Sequence, residues 1–362
     1  MNLTYRWGKV LRVLSRHPWA EEAEVLLDGE VARAIGYPSL VGSLAEGEEV
    51  LLNTTAVELR LGSGGVHFVL LRRGREALRQ AGPGHLVKDR YTPWQRAYLH
   101  LEEEGSPYHE LLKDPSLTLE GAPVALLFLH SQLEPLLRAF WHLCPGEKAV
   151  YLYTGGGARP AGFSRTVRRL AEEGLTVITV GEAFGGHLEA VAGPSALLAA
   201  VHGLRARLVA VGMGPGIAGT GTPLGHTAVE VSAWALWARS LGGRPLIIPR
   251  LSSGDPRGRH YGLSHHTLSV LERLFPWPLP VAFPAEGPFP EEALKAARER
   301  WKRSEASRRH LLLEVAVGRL WEAVIPGLKG WSHMGRGPLE DPLFLGAPLA
   351  GAAILAAWQK GV

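Results

Sequence analysis

The chain has one cysteine, Cys144, among 362 residues. A single thiol excludes an intramolecular disulfide and any cysteine-rich zinc site. Its setting, Trp141-His142-Leu143-Cys144-Pro145, reads as the end of a helix and marks it as structural. Asparagine and glutamine are nearly as scarce, at two and four residues, beside three methionines. With arginine, glutamate and proline abundant, this shortage of thermolabile types points to a thermophilic source, although GC-rich coding yields part of the same bias. Neither sign of charge dominates. The 39 basic and 35 acidic residues leave only +4, so charge alone does not argue for nucleic acid. No apolar run approaches the roughly 18–20 residues of a membrane span, and residues 1–10 lack an apolar signal core, so no membrane partner and a cytoplasmic location are expected. Two catalytic signatures are also missing. Without Gly-Lys-Ser/Thr, ordinary P-loop hydrolysis of nucleoside triphosphates is disfavoured. Without Gly-x-Ser-x-Gly, Ser131 and Ser195 are merely serines near helix starts.

What is present is a globular composition, 46% hydrophobic and 20% charged, long enough for two or three domains at roughly 150 residues each. From residue 5 to 71, short β-rich runs at 8–13, 23–27, 31–35, 50–57 and 66–71 alternate with turn signals such as Asp28-Gly29. Strands of this length and spacing make a small β-barrel over 1–75. Residues 76–121 read as a helical connector, with helical pieces at 75–81 and 93–104. After residue 122 short apolar runs alternate with amphipathic ones, as parallel strands and crossover helices do. The strands expected are 124–129, 149–153, 176–180, 208–211, 245–248 and 279–282. The helices between them are 134–142, 164–173, 194–204, 228–241 and 264–274. Residues 122–362 are therefore an α/β, doubly wound, Rossmann-like domain. It ends in a charged helical run, 290–320, read as a solvated face, and in a small apolar helix, 347–358, that packs on the domain or on a second subunit.

In such a sheet ligands bind beyond the carboxyl ends of the strands. Every expected strand but the last is followed there by a polar or glycine-rich segment: 130–132, 154–159, 181–187, 212–226 and 250–267. Glycines are entropically costly in loops, so their concentration fits close backbone approach to a ligand, although tight turns also use them. The segment 212–222 contains Gly-x-Gly-x-x-Gly from Gly214 through Gly216 to Gly219, but it fails as a dinucleotide fingerprint. Residues 220–224 delay the helix, and the next acid, Glu230, lies inside one. What survives is an anion cradle of backbone N–H groups with the Thr220 and Thr222 hydroxyls. Residues 250–267 gather Arg250, Arg257, Arg259, Asp255, His260, His265 and His266. Arg257 and Arg259 suit phosphate or carboxylate. Ser264 suits an N-cap, which puts His265 and His266 in the first turn about 100° apart and unable to meet one ligand. A histidine at that positive helix end is pushed towards its neutral form. His187, His260 and His266, with Asp255, are the acid–base candidates. A metal would need convergence of groups such as His187, His226, Asp255, His260 and His266, none at helical metal spacing, so no metal and no cofactor is assigned.

Several of these segments carry a resemblance. Residues 50–59, 62–69, 85–93, 186–190, 212–225 and 259–267, which include Arg259-His260-Tyr261-Gly262-Leu263-Ser264-His265-His266-Thr267, resemble domain-of-unknown-function family 3866 of bacterial proteins. The resemblance covers nearly the whole chain and implies that barrel and α/β domain belong to one unit. It brings no activity or catalytic residue with it. The residues themselves suggest an enzyme acting on a small anionic, phosphorylated or nucleotide-like molecule at the sheet rim. A non-catalytic ligand-binding or regulatory protein using the same pocket, or a structural assembly protein, are the alternatives.

Overall fold

A computed structural model describes residues 2–61, 64–75 and 82–361. They form two compact units, Met1–Pro83 with Pro160–Arg168, and Gly84–Arg159 with Arg169–Val362. Residues 76–81 of the helical piece expected at 75–81, and residues 62 and 63 before β5, lie outside the described residues.

The first unit is a closed five-stranded barrel of β1 (Tyr5–His17), β2 (Ala20–Leu27), β3 (Glu30–Gly36), β4 (Glu49–Asn53) and β5 (Val66–Arg72), in the order β1-β2-β3-β5-β4. β3 and β5 are parallel and the other pairs antiparallel, the connectivity of an OB-type barrel. β1 is long enough to pair with both β2 and β4 because register shifts after Val10 and Val13 bend it. Asp28 and Gly29, both at positive φ, close the β2–β3 hairpin as expected. The strand expected over 50–57 stops at Asn53. There the Asn53 side chain accepts the Thr55 N–H at 3.1 Å and turns the chain into a short helix, Thr55–Glu58. Val10, Val25, Val50 and Leu52 fill the interior.

The second unit starts with a hairpin of β6 (Leu86–Lys88) and β7 (Arg96–Tyr98), where the sequence suggested a helix over 93–104. Two features override that helix. Arg96 Cζ lies over the Phe184 ring, 3.6 Å from its centroid, and Glu102 and Glu103 spend their carboxylates on the backbone N–H groups of Val191, His85 and His100. The main sheet follows: β8 (Pro123–Leu127), β9 (Ala149–Thr154), β10 (Thr176–Val180), β11 (Leu188–Ala190), β12 (Leu208–Met213) and β13 (Arg244–Ile248). A small ladder of β14 (Leu251–Ser252) with β15 (Gly262–Leu263) comes next, and then β16 (Pro280–Glu286) and β17 (Leu311–Ala316). Eight strands are parallel in the order β11-β10-β9-β12-β8-β13-β16-β17. The apolar runs of β8, β9 and β12 are buried on both faces, as a helix-covered sheet requires.

The sequence reading missed two strands of the main sheet, besides the short β6–β7 and β14–β15 ladders. β11 has three residues, too few to show a period. β17 lies in the run expected to be helical to residue 320; helix Glu291–Arg303 ends at Ser304, and the leucines that follow pair with β16. The final helix, Pro342–Gln359, starts before the expected 347 and is long and apolar enough to cross a membrane, contrary to expectation. Of its 18 residues 78% are buried, packed against helix Leu133–Leu143 and β16, which marks it as a core helix.

Candidate functional site

The chain leaves β9 towards one edge of the sheet and β13 towards the other, so a topological switch lies at the carboxyl ends of β12, β8 and β13. The loops beyond these strands are held together there. His130 Nδ1 meets the Met213 carbonyl at 3.2 Å, the Ala158 N–H reaches the Pro215 carbonyl at 2.7 Å, and Gln132 donates to the Pro249 carbonyl at 2.8 Å.

The loop after β13 is folded back by the β14–β15 ladder, Leu251 opposite Leu263 and Ser252 opposite Gly262. Gly262 has φ +68, and a Cβ there would lie 2.9 Å from the Ala297 nitrogen, so only glycine closes this ladder. The next residue but one, Ser264, caps helix His265–Leu274 as expected; its Oγ accepts the His266 N–H at 3.3 Å and also meets His260 Nδ1 at 2.8 Å. One hydroxyl thus sets both the helix start and the His260 ring.

The result is a histidine cluster. The centroid separations are 4.2 Å for His265 and His266, 4.9 Å for His260 and His265, and 5.0 Å for His260 and His266. One ring nitrogen of each lies within 4.8 Å of the others. This corrects the expectation that His265 and His266 cannot meet one ligand. The 100° step separates their Cβ directions, but the rings tilt together at 54° and His260 spans the gap. His226 joins from the loop after β12, stacked on His266 at 4.1 Å and 20°. That loop is a hairpin in which Gly219 pairs with His226, and Thr220 and Thr222 hydrogen-bond each other at 2.9 Å and the Gly225 backbone at 3.0 Å. Both hydroxyls are therefore used in closing the loop that was expected to form an anion cradle. Gly214 is fixed by packing, since a Cβ would fall 1.9 Å from the Tyr153 hydroxyl; Gly216 has φ +90; Gly219 faces the His266 ring.

All four imidazoles are pushed towards the neutral form, first by burial and, for His260, His265 and His266, also by neighbouring cationic groups. His260 and His266 are lowered to about 3. His226 Nε2 lies 3.1 Å from the Pro223 carbonyl, which only accepts, so its proton sits on Nε2 and its Nδ1 offers a lone pair. His226 Nδ1, His265 Nε2 and His266 Nδ1 are buried without a hydrogen-bond partner.

Beside the cluster Asp255 binds Arg250 at 2.7 Å and Arg257 through Nε at 2.9 Å and Nη2 at 2.8 Å, with Arg336 at 3.7 Å. Burial opposes ionisation of Asp255, but the Arg257 hydrogen bonds and the charges of Arg250 and Arg257 outweigh it and hold the carboxyl well below its usual range. Asp255 is thus an ionised anchor for arginines. Arg257 has its fork on that anchor, whereas the exposed Arg259 lies near enough to His265 to depress it. His187 is set apart from the cluster: its Nδ1 accepts the Val177 N–H at 3.0 Å, beside the early part of β10.

A family model described as "Protein of unknown function (DUF3866)" matches residues 33–352. The chain belongs to that family. The DUF3866 match runs from within β3 to within helix Pro342–Gln359 and so takes in the whole rim. Comparison with curated proteins gives no match.

The structure adds rim residues beyond those expected. Asp341 accepts from Ser252 Oγ at 2.6 Å, the Ser253 N–H at 2.7 Å and Arg336 Nε at 3.2 Å. His333 Nδ1 meets Ser131 Oγ at 2.8 Å, and burial lowers His333 to about 3. Glu230 accepts from Thr154, and burial raises it to about 7. Asp341-Pro342 could have been read as a helix start with proline at its first position. The other pairings join distant segments and leave no local signal.

Proposed function

We propose that the α/β unit binds a small anionic molecule, phosphorylated or nucleotide-like, at the carboxyl rim of its sheet and acts on it chemically. The observation that carries this reading is a surplus of positive charge beside neutral imidazoles. Arg250, Arg257 and Arg336 share only two carboxylates, Asp255 and Asp341, and Arg259 adds another cation. A fixed positive field next to uncharged ring nitrogens favours an anion that completes the charge set. In this reading exposed Arg259 meets the ligand first, and Arg257 contributes its outer face while held on Asp255. His260 and His266 touch the reacting group, while Asp255 anchors the arginines and His187, bonded to the Val177 N–H, takes no part.

The test is thermal denaturation of metal-free protein against inorganic phosphate, sugar phosphates and nucleotides, followed by turnover assays on whichever binds. A ligand at 100 times its Kd stabilises by about 2.7 kcal/mol, a shift of a few degrees. The expected result is a shift that the double variant Arg257→Ala, Arg259→Ala removes. No shift with any anion, or one that survives that variant, overturns the reading. Binding with no turnover favours the non-catalytic, regulatory alternative.

A further inference from the structure

We propose that His260, His265 and His266 are the ligands of a single divalent transition-metal ion of the zinc type, with the fourth position open to water or an anion. This deepens the reading of the same rim, although binding of the metal alone does not require that reading to hold.

Three observations support it. The three rings come from one short stretch of chain whose conformation is fixed by the β14–β15 ladder and the Ser264 cap, so the convergence is built into the backbone. Ring nitrogens of the cluster lack other partners: His265 Nε2 and His266 Nδ1 are buried and unbonded, and the contact of His260 Nδ1 with Ser264 leaves its Nε2 for another partner. A buried lone pair without a donor gives up its hydration for nothing, and a metal ion is the partner that several such lone pairs can share. The second contacts are those of ligating imidazoles: the Ser264 hydroxyl holds the His260 ring through Nδ1, and the His226 ring lies flat on His266 and sets its plane. Tetrahedral bonds of about 2.0–2.1 Å separate ligand nitrogens by about 3.4 Å, so closing from within 4.8 Å requires only modest ring rotations.

The donor set selects the ion. Three neutral imidazoles without carboxylate or thiolate suit zinc, cobalt, nickel or copper rather than magnesium or calcium. The surrounding arginines weaken binding of a bare cation. They equally favour hydroxide or an anionic ligand at the open position, where such a metal acts as a Lewis acid.

The experiment uses the full chain, stripped with a chelator, reloaded with Zn(II) and dialysed, with metal counted by mass spectrometry. Cobalt loading gives an independent optical readout. The expected result is about one zinc per chain and the intense visible bands of four-coordinate cobalt. His265→Ala and His260→Ala should each weaken zinc binding at least about tenfold, while His187→Ala, outside the cluster, retains it. Circular dichroism of each metal-free variant separates lost ligands from lost folding, and half-exposed His265 is the substitution least able to disturb the core. Failure of the folded wild-type chain to retain zinc, or equal retention by the folded double variant His260→Ala, His265→Ala, overturns the inference. Phosphate stabilisation of the stripped protein without zinc retention overturns the metal site alone. Zinc retention without any anion response overturns the anion reading alone.

Discussion

Glu22 in the barrel unit and Asp255 in the α/β unit are each surrounded by three arginines, yet they do different things to their surroundings. Glu22 accepts from Arg33 at 2.6 Å, Arg165 Nε at 2.8 Å and Arg168 at 2.9 Å. The Arg33 and Arg165 side chains are 46% and 65% exposed, so their excess charge is carried by water. Around Asp255, Arg250 is 3% and Arg336 18% exposed, and their charge is retained in a poorly screened interior. Such charge reaches His260 and His333, both lowered to about 3 by burial and then by Arg250, with Arg257 adding at His260 and Arg336 at His333. The number of arginines around a carboxylate therefore says little about a site; how much of their charge escapes to solvent says more.

The largest test of this contrast is Asp255→Asn. It leaves Arg250 buried and unpaired and should cost about 3–5 kcal/mol in denaturant unfolding. The equivalent change at the barrel, Glu22→Gln, should cost only about 2 kcal/mol, because two of its arginines turn to water. Equal losses would break the comparison. The Glu22 carboxyl is held at about 2, chiefly by the Arg165 hydrogen bond, which together with Arg168 outweighs burial. Its contribution is therefore complete above about pH 4.5 and fades as pH falls towards 2, so wild type and Glu22→Gln should converge in stability over that window. Glu230 is the opposite case, a buried carboxyl with no arginine, raised to about 7. Its folded pKa lies above the unfolded one, so stability is lost as pH rises from about 4.5 through 7. Glu230→Gln should gain about 1–2 kcal/mol on wild type between pH 5 and pH 8, and a flat difference would refute the assignment. The smallest effect belongs to His187→Ala, which removes one acceptor from the Val177 N–H and should cost about 1 kcal/mol without altering any response to phosphate.

Much of the architecture was readable along the chain because it rests on local pattern. The apolar runs of β8, β9 and β12 are buried on both faces and could be seen as continuous, and the turn at Asp28-Gly29 announced its hairpin. What escaped detection depends on partners elsewhere in the chain: β17 pairs with β16, and β7 pairs with β6 while its Arg96 lies over Phe184. At the rim the loops, the Ser264 cap and the histidines were legible. Their convergence was not, since a helical wheel gives the direction of a Cβ bond and not the reach and tilt of an imidazole. Asp341, Arg336 and Glu230 acquire their roles wholly from the fold.

The Ser264 hydroxyl links two things that are usually separate. Because one oxygen both receives the helix's first free N–H and steadies His260, whatever immobilises that ring also tightens the start of helix His265–Leu274. Any ligand that fills the rim as proposed would be recorded in the backbone: the His266 amide should then exchange its hydrogen more slowly, which makes the first helical turn an internal reporter for such binding.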